Sequence, residues 1–455
     1  MLRNVVISFL LMVIAGVSAL QAHAQSLIRD AEIEAILREY TDPILRAAGL
    51  VPEDVKIFLI GDKSLNAFVA NGQRIHLNTG LIITAETPGQ LKGVIAHETG
   101  HIAGAHGARR AQDLAIARRP AYISIGLGII AIAAGAPQLG AALIVGSQEY
   151  AALNFFAHTR VQEASADQAA VTYLEKIGES PSGLVEFFDN FRYQESISQA
   201  KRFPYFRSHP LASDRIQALR LRAEETGLMD VPPTERAQHQ FDMMQAKLIG
   251  FLETPGHVYR KYPLSDTSQP AMYARTISAF RAVDIQAALN EMENLLATDP
   301  DNPFFHELHG QILFETGRIS DSIRPLERAV SLAPDEPLIQ IAYARSLIAR
   351  AEEGDVDAGE KALREAILID PDNAFAWREL AIALEAQGLR DQAELATAES
   401  YYRIGDIVRA NLFANRALNG LSRSSTYYIR ASDIAAITDP RLPENKAAYR
   451  RSNNR

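Results

Sequence analysis

The sequence predicts an α+β, mostly helical protein, with one small strand cluster inside a helical domain and an all-α repeat array after it. Three observations predict this. Short apolar runs at 55–60, 66–70 and 74–78 have the length and bounding turns of strands. Longer tracts around them are mixed apolar and charged at helical spacing. Beyond residue 267, Pro-containing turns recur at spacings of 34 and 37 residues.

The composition narrows the function classes. The chain has 455 residues, with 46 Lys plus Arg against 55 Asp plus Glu and a formal net charge of -9. That balance argues against a nucleic-acid binder, which needs basic stripes. There is no Cys, so a disulfide framework, a Cys nucleophile, a thiolate zinc site and an iron–sulfur cluster are excluded. At 47% hydrophobic residues the chain can build ordinary packed cores.

Taken in order, Met1 to Asn4 form a short basic segment and Val5 to Leu20 are almost wholly apolar. Ala22-His23-Ala24 then fits a small-x-small cleavage site, so residues 1–24 read as a signal peptide and the destination as the bacterial periplasm. Residues 28–49 read as a helix. The strand runs follow, the last two joined by Asn71-Gly72. Helical tracts are expected at 86–117, 148–176, 181–226 (broken at Ser208-His209-Pro210) and 235–253. Between Pro120 and Gln148 no residue is charged, and Pro137 divides the stretch. It reads as a helical hairpin, with peripheral membrane contact through 120–148 as the rival. A Pro- and Gly-containing connector spans 254–267.

The remainder repeats. Asp299-Pro300-Asp301-Asn302 is echoed at Ala333-Pro334-Asp335-Glu336 and Asp370-Pro371-Asp372-Asn373. The same offsets superpose the small residues Gly310, Ala344 and Ala381, and Ala329 with Ala366. Gly317 matches Gly388, and Gly354 after a three-residue insertion. Small residues where helices cross and Pro at the exit form the tetratricopeptide pattern. The expected organisation is a first domain at 25–253, a repeat domain with a helical cap at 268–430 and a tail at 431–455.

Chemistry concentrates at His97-Glu98-Thr99-Gly100-His101. On a helix, residues four apart share a face, so both imidazoles can hold one metal while Glu98 reaches a water beside it. A catalytic zinc site wants a third protein ligand. Glu163 and Asp167, again four apart, offer one, with the other carboxylate left to hold the back nitrogen of a ligand His. His106 follows His101 by five residues, a rotation that takes it off the metal face, and His158 reads as structural. His209, before Pro210 and two turns from Arg215, can fill the open position, hold a carbonyl or steady an oxyanion.

These motifs, with Asn66-Ala67-Phe68-Val69 and Thr79-Gly80-Leu81, resemble the Ste24/HtpX/Oma-type zinc metallopeptidases. The resemblance implies a gluzincin-type fold with a small sheet beside the helical core, and one zinc ion per chain. It implies His97, His101 and Glu163 as ligands, Glu98 as general base and Asp167 as the carboxylate behind a ligand. His209 then corresponds to a residue that fills the fourth zinc position and holds the protease off, and Arg215 to an active-site arginine. Strand residues Asn66, Ala67, Phe68 and Val69 would pair with an extended substrate. Implied clients are unfolded or misfolded envelope proteins. Implied partners are the outer-membrane barrel-assembly machinery and the lipopolysaccharide-export barrel. The alternative is a tetratricopeptide adaptor or chaperone whose peptidase domain is silent.

Overall fold

In the computed structural model, residues 27–70, 72–106, 160–197, 209 and 213–453 are described. The expected signal peptide at 1–24, the apolar stretch at 120–148 and His158 lie outside them. Among the described residues no helix is long and apolar enough to cross a membrane.

The described chain is mostly helical with one four-stranded sheet. It divides into two compact units: one runs through Ile28 and then Tyr40–Pro233, the other takes Arg29–Glu39 and Thr234 onward. The first division falls inside helix α1 (Ala31–Ala47), which a strand, β1 (Leu27–Ile28), precedes where the sequence suggests helix from 28.

The first unit holds the sheet. β2 (Lys56–Ile60), β3 (Ala67–Ala70) and β4 (Arg74–Asn78) fall on the three expected runs. Among the described residues the order is β1-β2-β4-β3, which puts β3 at the edge, paired antiparallel with β4. Gly72, at φ 91°, supplies the left-handed backbone that the turn between them needs. Alternation sets the faces: Ile75 and Leu77 are fully buried, while His76 stacks between Phe58 and Phe68 with ring centroids 5.1 and 4.8 Å apart.

Next come α2 (Thr79–Thr84) and α3 (Pro88–Ala103), the latter packed against β3 and β4. Its start is built from Thr87, whose hydroxyl accepts from the Gln90 amide, and from Pro88 in the first turn. Twelve of its residues are buried, so it is a core helix rather than an amphipathic one. The helical residues 160–176 (α4), α5 (Ser182–Ile197) and α6 (Ser213–Glu225) complete the described part.

Close approach to α3 depends on two glycines. A Cβ on Gly93 would lie 2.8 Å from Leu184 Cβ of α5, and one on Gly100 would lie 2.9 Å from the Ala166 carbonyl oxygen of α4. Neither distance is tolerated between packed atoms, so these glycines let α4 and α5 reach the helix that carries both motif histidines.

The second unit is an all-α array. Helix α7 (Glu235–Leu252), grouped by sequence with the first region, packs here, with Met243 in one core with Tyr273 and Phe305. A short helix, α8 (Pro255–Lys261), occupies part of the expected connector. Antiparallel pairs follow: α9 (Gln269–Arg281) with α10 (Ile285–Thr298), α11 (Pro303–Glu315) with α12 (Ile319–Leu332), α13 (Pro337–Arg350) with α14 (Asp355–Ile369), and α15 (Ala374–Ala386) with α16 (Arg390–Arg403). Helices α17 (Ile407–Gly420), α18 (Thr426–Ile437) and α19 (Lys446–Asn453) end the array.

The repeated residues have repeated jobs. Gly317, Gly354 and Gly388, at φ 81°, 83° and 76°, turn the chain between the two helices of successive pairs. A Cβ on Gly310 would sit 2.4 Å from Leu326 Cγ, which is why that crossing needs a small residue. Three equivalent side chains close the Pro turns. His306 bonds the Pro300 carbonyl at 2.8 Å, Gln340 donates to that of Pro334, and the Trp377 indole donates to that of Pro371 at 3.0 Å.

Candidate metal centre

His97 and His101 project from one face of α3, as the four-residue spacing dictates. Their Nε2 atoms are 3.1 Å apart. Glu163, from α4, brings Oε2 to 3.3 Å from His97 Nε2 and Oε1 to 3.5 Å from His101 Nε2. His209 brings Nδ1 to 3.2 Å from His97 Nε2 and 3.0 Å from Glu163 Oε2. Donor atoms of these four residues all lie within 4.8 Å of one another.

The donor set fits zinc. Two imidazoles and a carboxylate, with a third imidazole at the remaining corner, are borderline-soft nitrogen and oxygen donors. With metal–ligand bonds of about 2.0–2.1 Å, the edge of a tetrahedron is about 3.3 Å. The measured separations scatter around that edge, so a single ion suits the centre of the cluster.

A layer of buried groups stands behind it. His97 Nδ1 is 2.9 Å from Asp167 Oδ1, which holds the ring with Nε2 turned inward. Arg215 donates from Nε to Asp167 Oδ2 at 2.5 Å and from Nη2 to Oδ1 at 2.8 Å, a two-point grip that fixes the carboxylate. Its Nη1 lies 3.2 Å from Glu163 Oε2. Phe188 of α5 packs its ring edge-on to His97 and under the Arg215 guanidinium, 5.0 Å away.

Glu98 is fully buried, one residue along α3 from His97. Its Oε1 lies 3.5 Å from His209 Nε2, and neither oxygen accepts a hydrogen bond. Burial raises its carboxyl above the usual range, only partly opposed by His101 and His97. Glu163 moves the other way. Burial would raise it, but His209, His101 and His97 hold it ionised, well below the ordinary carboxylate. Burial pulls His97 down, yet Asp167 and Glu163 outweigh that and lift it to about 9. Three buried carboxyl groups and the His97 ring line the pocket beside one guanidinium, so a metal cation there would compete with the protons on Glu98 and His97.

The structure therefore brings together His97, Glu98, His101, Glu163, Asp167, His209 and Arg215. Ala67, Phe68 and Val69 lie in edge strand β3, with Asn66 just before it. Sequence reasoning missed Gly93, Gly100 and Phe188. Only their helical neighbourhood gives them roles, although Gly100 inside the zinc motif was a signal. It also placed His106 by extending α3. The helix ends at Ala103, and His106 returns to within 2.9 Å of His101 Nδ1 instead of rotating away.

Residues 27–223 match the family model of peptidase family M48. The chain is 25% identical to the beta-barrel assembly-enhancing protease of Yersinia pestis over 391 residues, covering 84% of this chain and 79% of that one. It is 24% identical to the protein of the same name from Escherichia coli (strain K12), covering 87% and 80%. The metalloprotease LoiP of Escherichia coli (strain K12) is 27% identical over 39% of this chain and 65% of its own. Residues 27–223, with a His/His/Glu/His cluster suited to one zinc ion, are a metallopeptidase domain of peptidase family M48.

Proposed function

We propose that this protein is a periplasmic zinc endopeptidase that cleaves unfolded or misassembled outer-membrane proteins. The observation that carries it is the buried cluster: three or four ligand atoms at tetrahedral spacing with Glu98 beside them. His97, His101 and Glu163 would hold zinc, which would supply Lewis acidity toward the scissile carbonyl. Glu98 takes a proton from the attacking water and passes it to the leaving amine as the C–N bond breaks. Its burial suits that task, because a raised pKa brings the carboxyl nearer the working pH. Asp167 and Arg215 keep His97 and Glu163 in place. Among the described residues β3 pairs on one side alone, which supports binding of an extended substrate by backbone pairing that spares folded chains.

His209 regulates the centre in this proposal. Its Nδ1 stands at the fourth corner and its Nε2 faces Glu98. There it excludes the water that Glu98 must activate. Swinging one side chain away reopens the site. The His209→Ala variant is expected to keep zinc through three ligands and to cleave an unfolded peptide faster than the native protein. Slower cleavage at full zinc content would instead assign His209 to the transition state.

The name shared by the relatives from Yersinia pestis and Escherichia coli supports a place near β-barrel assembly. The helical pairs from residue 268 onward act in this proposal as a tetratricopeptide surface that recruits clients or the barrel-assembly machinery. In cross-linking to outer-membrane assembly proteins, a chain lacking 268–455 should lose its partners. Unchanged cross-links would assign recruitment to the peptidase domain.

A further inference from the structure

Among the described residues, His106 is the one buried histidine near the centre that the proposed mechanism does not use. It is 6% exposed, and its Nδ1 lies 2.9 Å from His101 Nδ1 with the rings 76° apart. Helix α3 stops at Ala103 to allow this. Ala105 then adopts a left-handed backbone at φ 50°, rare for a residue with a Cβ, and that reversal brings the next ring back against the helix. Gly104 leaves the space: a Cβ there would sit 2.4 Å from His106 Nε2.

The proton assignment follows from His101. Its Nε2 faces the other ligands, so that nitrogen presents the lone pair and Nδ1 carries the hydrogen. His101 must then donate, and His106 must accept through Nδ1. Behind His97 the same work is done by Asp167. A second carboxylate behind His101 would add negative charge to a pocket that already buries Glu98, Glu163 and Asp167. A neutral imidazole orients the ligand without that charge.

We propose that His106 is a positioning residue for the metal centre: it fixes the tautomer and ring angle of His101 and so tightens the grip on the metal. This rests on the assignment of zinc to the cluster. Partners behind ligand histidines typically set metal affinity by about 10–100-fold.

The test is equilibrium competition for zinc against a chromophoric chelator, with thermal melting of each metal-free protein alongside. His106→Phe keeps a ring but has no acceptor, and should bind zinc about 10–100-fold more weakly. His106→Gln restores a carbonyl acceptor and should recover most of the loss, a rescue that simple space-filling would not produce. Gly104→Ala should also weaken zinc binding, because its Cβ displaces the His106 ring. Native affinity in His106→Phe, or a Gln variant as weak as the Phe variant, overturns the proposal. Should His106→Phe not fold, native affinity in Gly104→Ala overturns it equally. A native protein that takes up no zinc removes the zinc assignment as well, which separates the two failures.

Discussion

The metal centre and the turns of the helical array use polar groups in different ways. Around α3, Glu98, Glu163, Asp167 and Arg215 are held out of water at a cost, and the arrangement makes sense only as a device for binding a cation and moving a proton. In the helical array, one recurring set of polar contacts closes turns. Asn302 accepts from the amides of Phe304 and Phe305, Asn373 from those of Phe375 and Ala376, and Trp377 donates to the Pro371 carbonyl. Each of these partners is within six residues in sequence. In the metal centre, His97 and His209 are 112 residues apart. A turn contact of this kind can be built by one segment alone, whereas the centre exists only once segments distant in sequence have met.

The sharpest way to break the contrast is Glu98→Gln. In the proposed mechanism Glu98 carries the proton, so this change should lower peptide cleavage by about 10²–10⁴-fold. Zinc content by metal analysis should stay stoichiometric, since the proposal gives Glu98 no place among the ligands. A variant that lost zinc instead would show that Glu98 helps hold the metal.

Gly100→Val tests whether helix packing sets the metal geometry. The added atoms meet the Ala166 backbone, which cannot yield as a flexible side chain would. Overpacking of this kind costs about 1–3 kcal/mol, read by chemical denaturation. Because α4 carries Glu163, zinc affinity should fall too. Lost stability with unchanged zinc affinity would uncouple the fold from the site.

In the array, Trp377→Phe should cost about 1 kcal/mol, the net worth of one hydrogen bond. It should do so without changing zinc affinity. Equal losses at the metal centre would contradict the local character of the repeat contacts.

The smallest effect concerns pH. Burial, with Glu34 and Asp335 nearby, pushes Glu336 up to about 7. Its folded value lies above the unfolded one, so the folded chain holds this proton more tightly. Stability from this group is complete below about pH 4.5 and declines as pH rises toward 7. Glu336→Gln should therefore be neutral at pH 4.5 and stabilising at pH 8, on the order of 1 kcal/mol after solvent screening. A stability gain that is the same at both pH values would remove ionisation as the cause.

The sequence by itself determined whatever depends on short-range periodicity. The pair His97 and His101 shares a face because a helix turns every 3.6 residues. The three strands lie where alternation and turn residues placed them. Gly317, Gly354 and Gly388 mark their turns because only glycine adopts that backbone freely. Tertiary structure decided the rest. Glu163 and Asp167 look alike in sequence, and only the packing of α4 on Gly100 sends one to the donor cluster and the other behind His97. Extrapolating α3 past Ala103 misplaced His106, because the left-handed Ala105 that ends the regular turn is a residue with no local preference for it. Helix α7 joined the second unit because Met243 packs with Tyr273 and Phe305, a choice made by side chains distant in sequence. Local rules fix which residues share an element, while burial fixes which elements meet, and a metal site needs both.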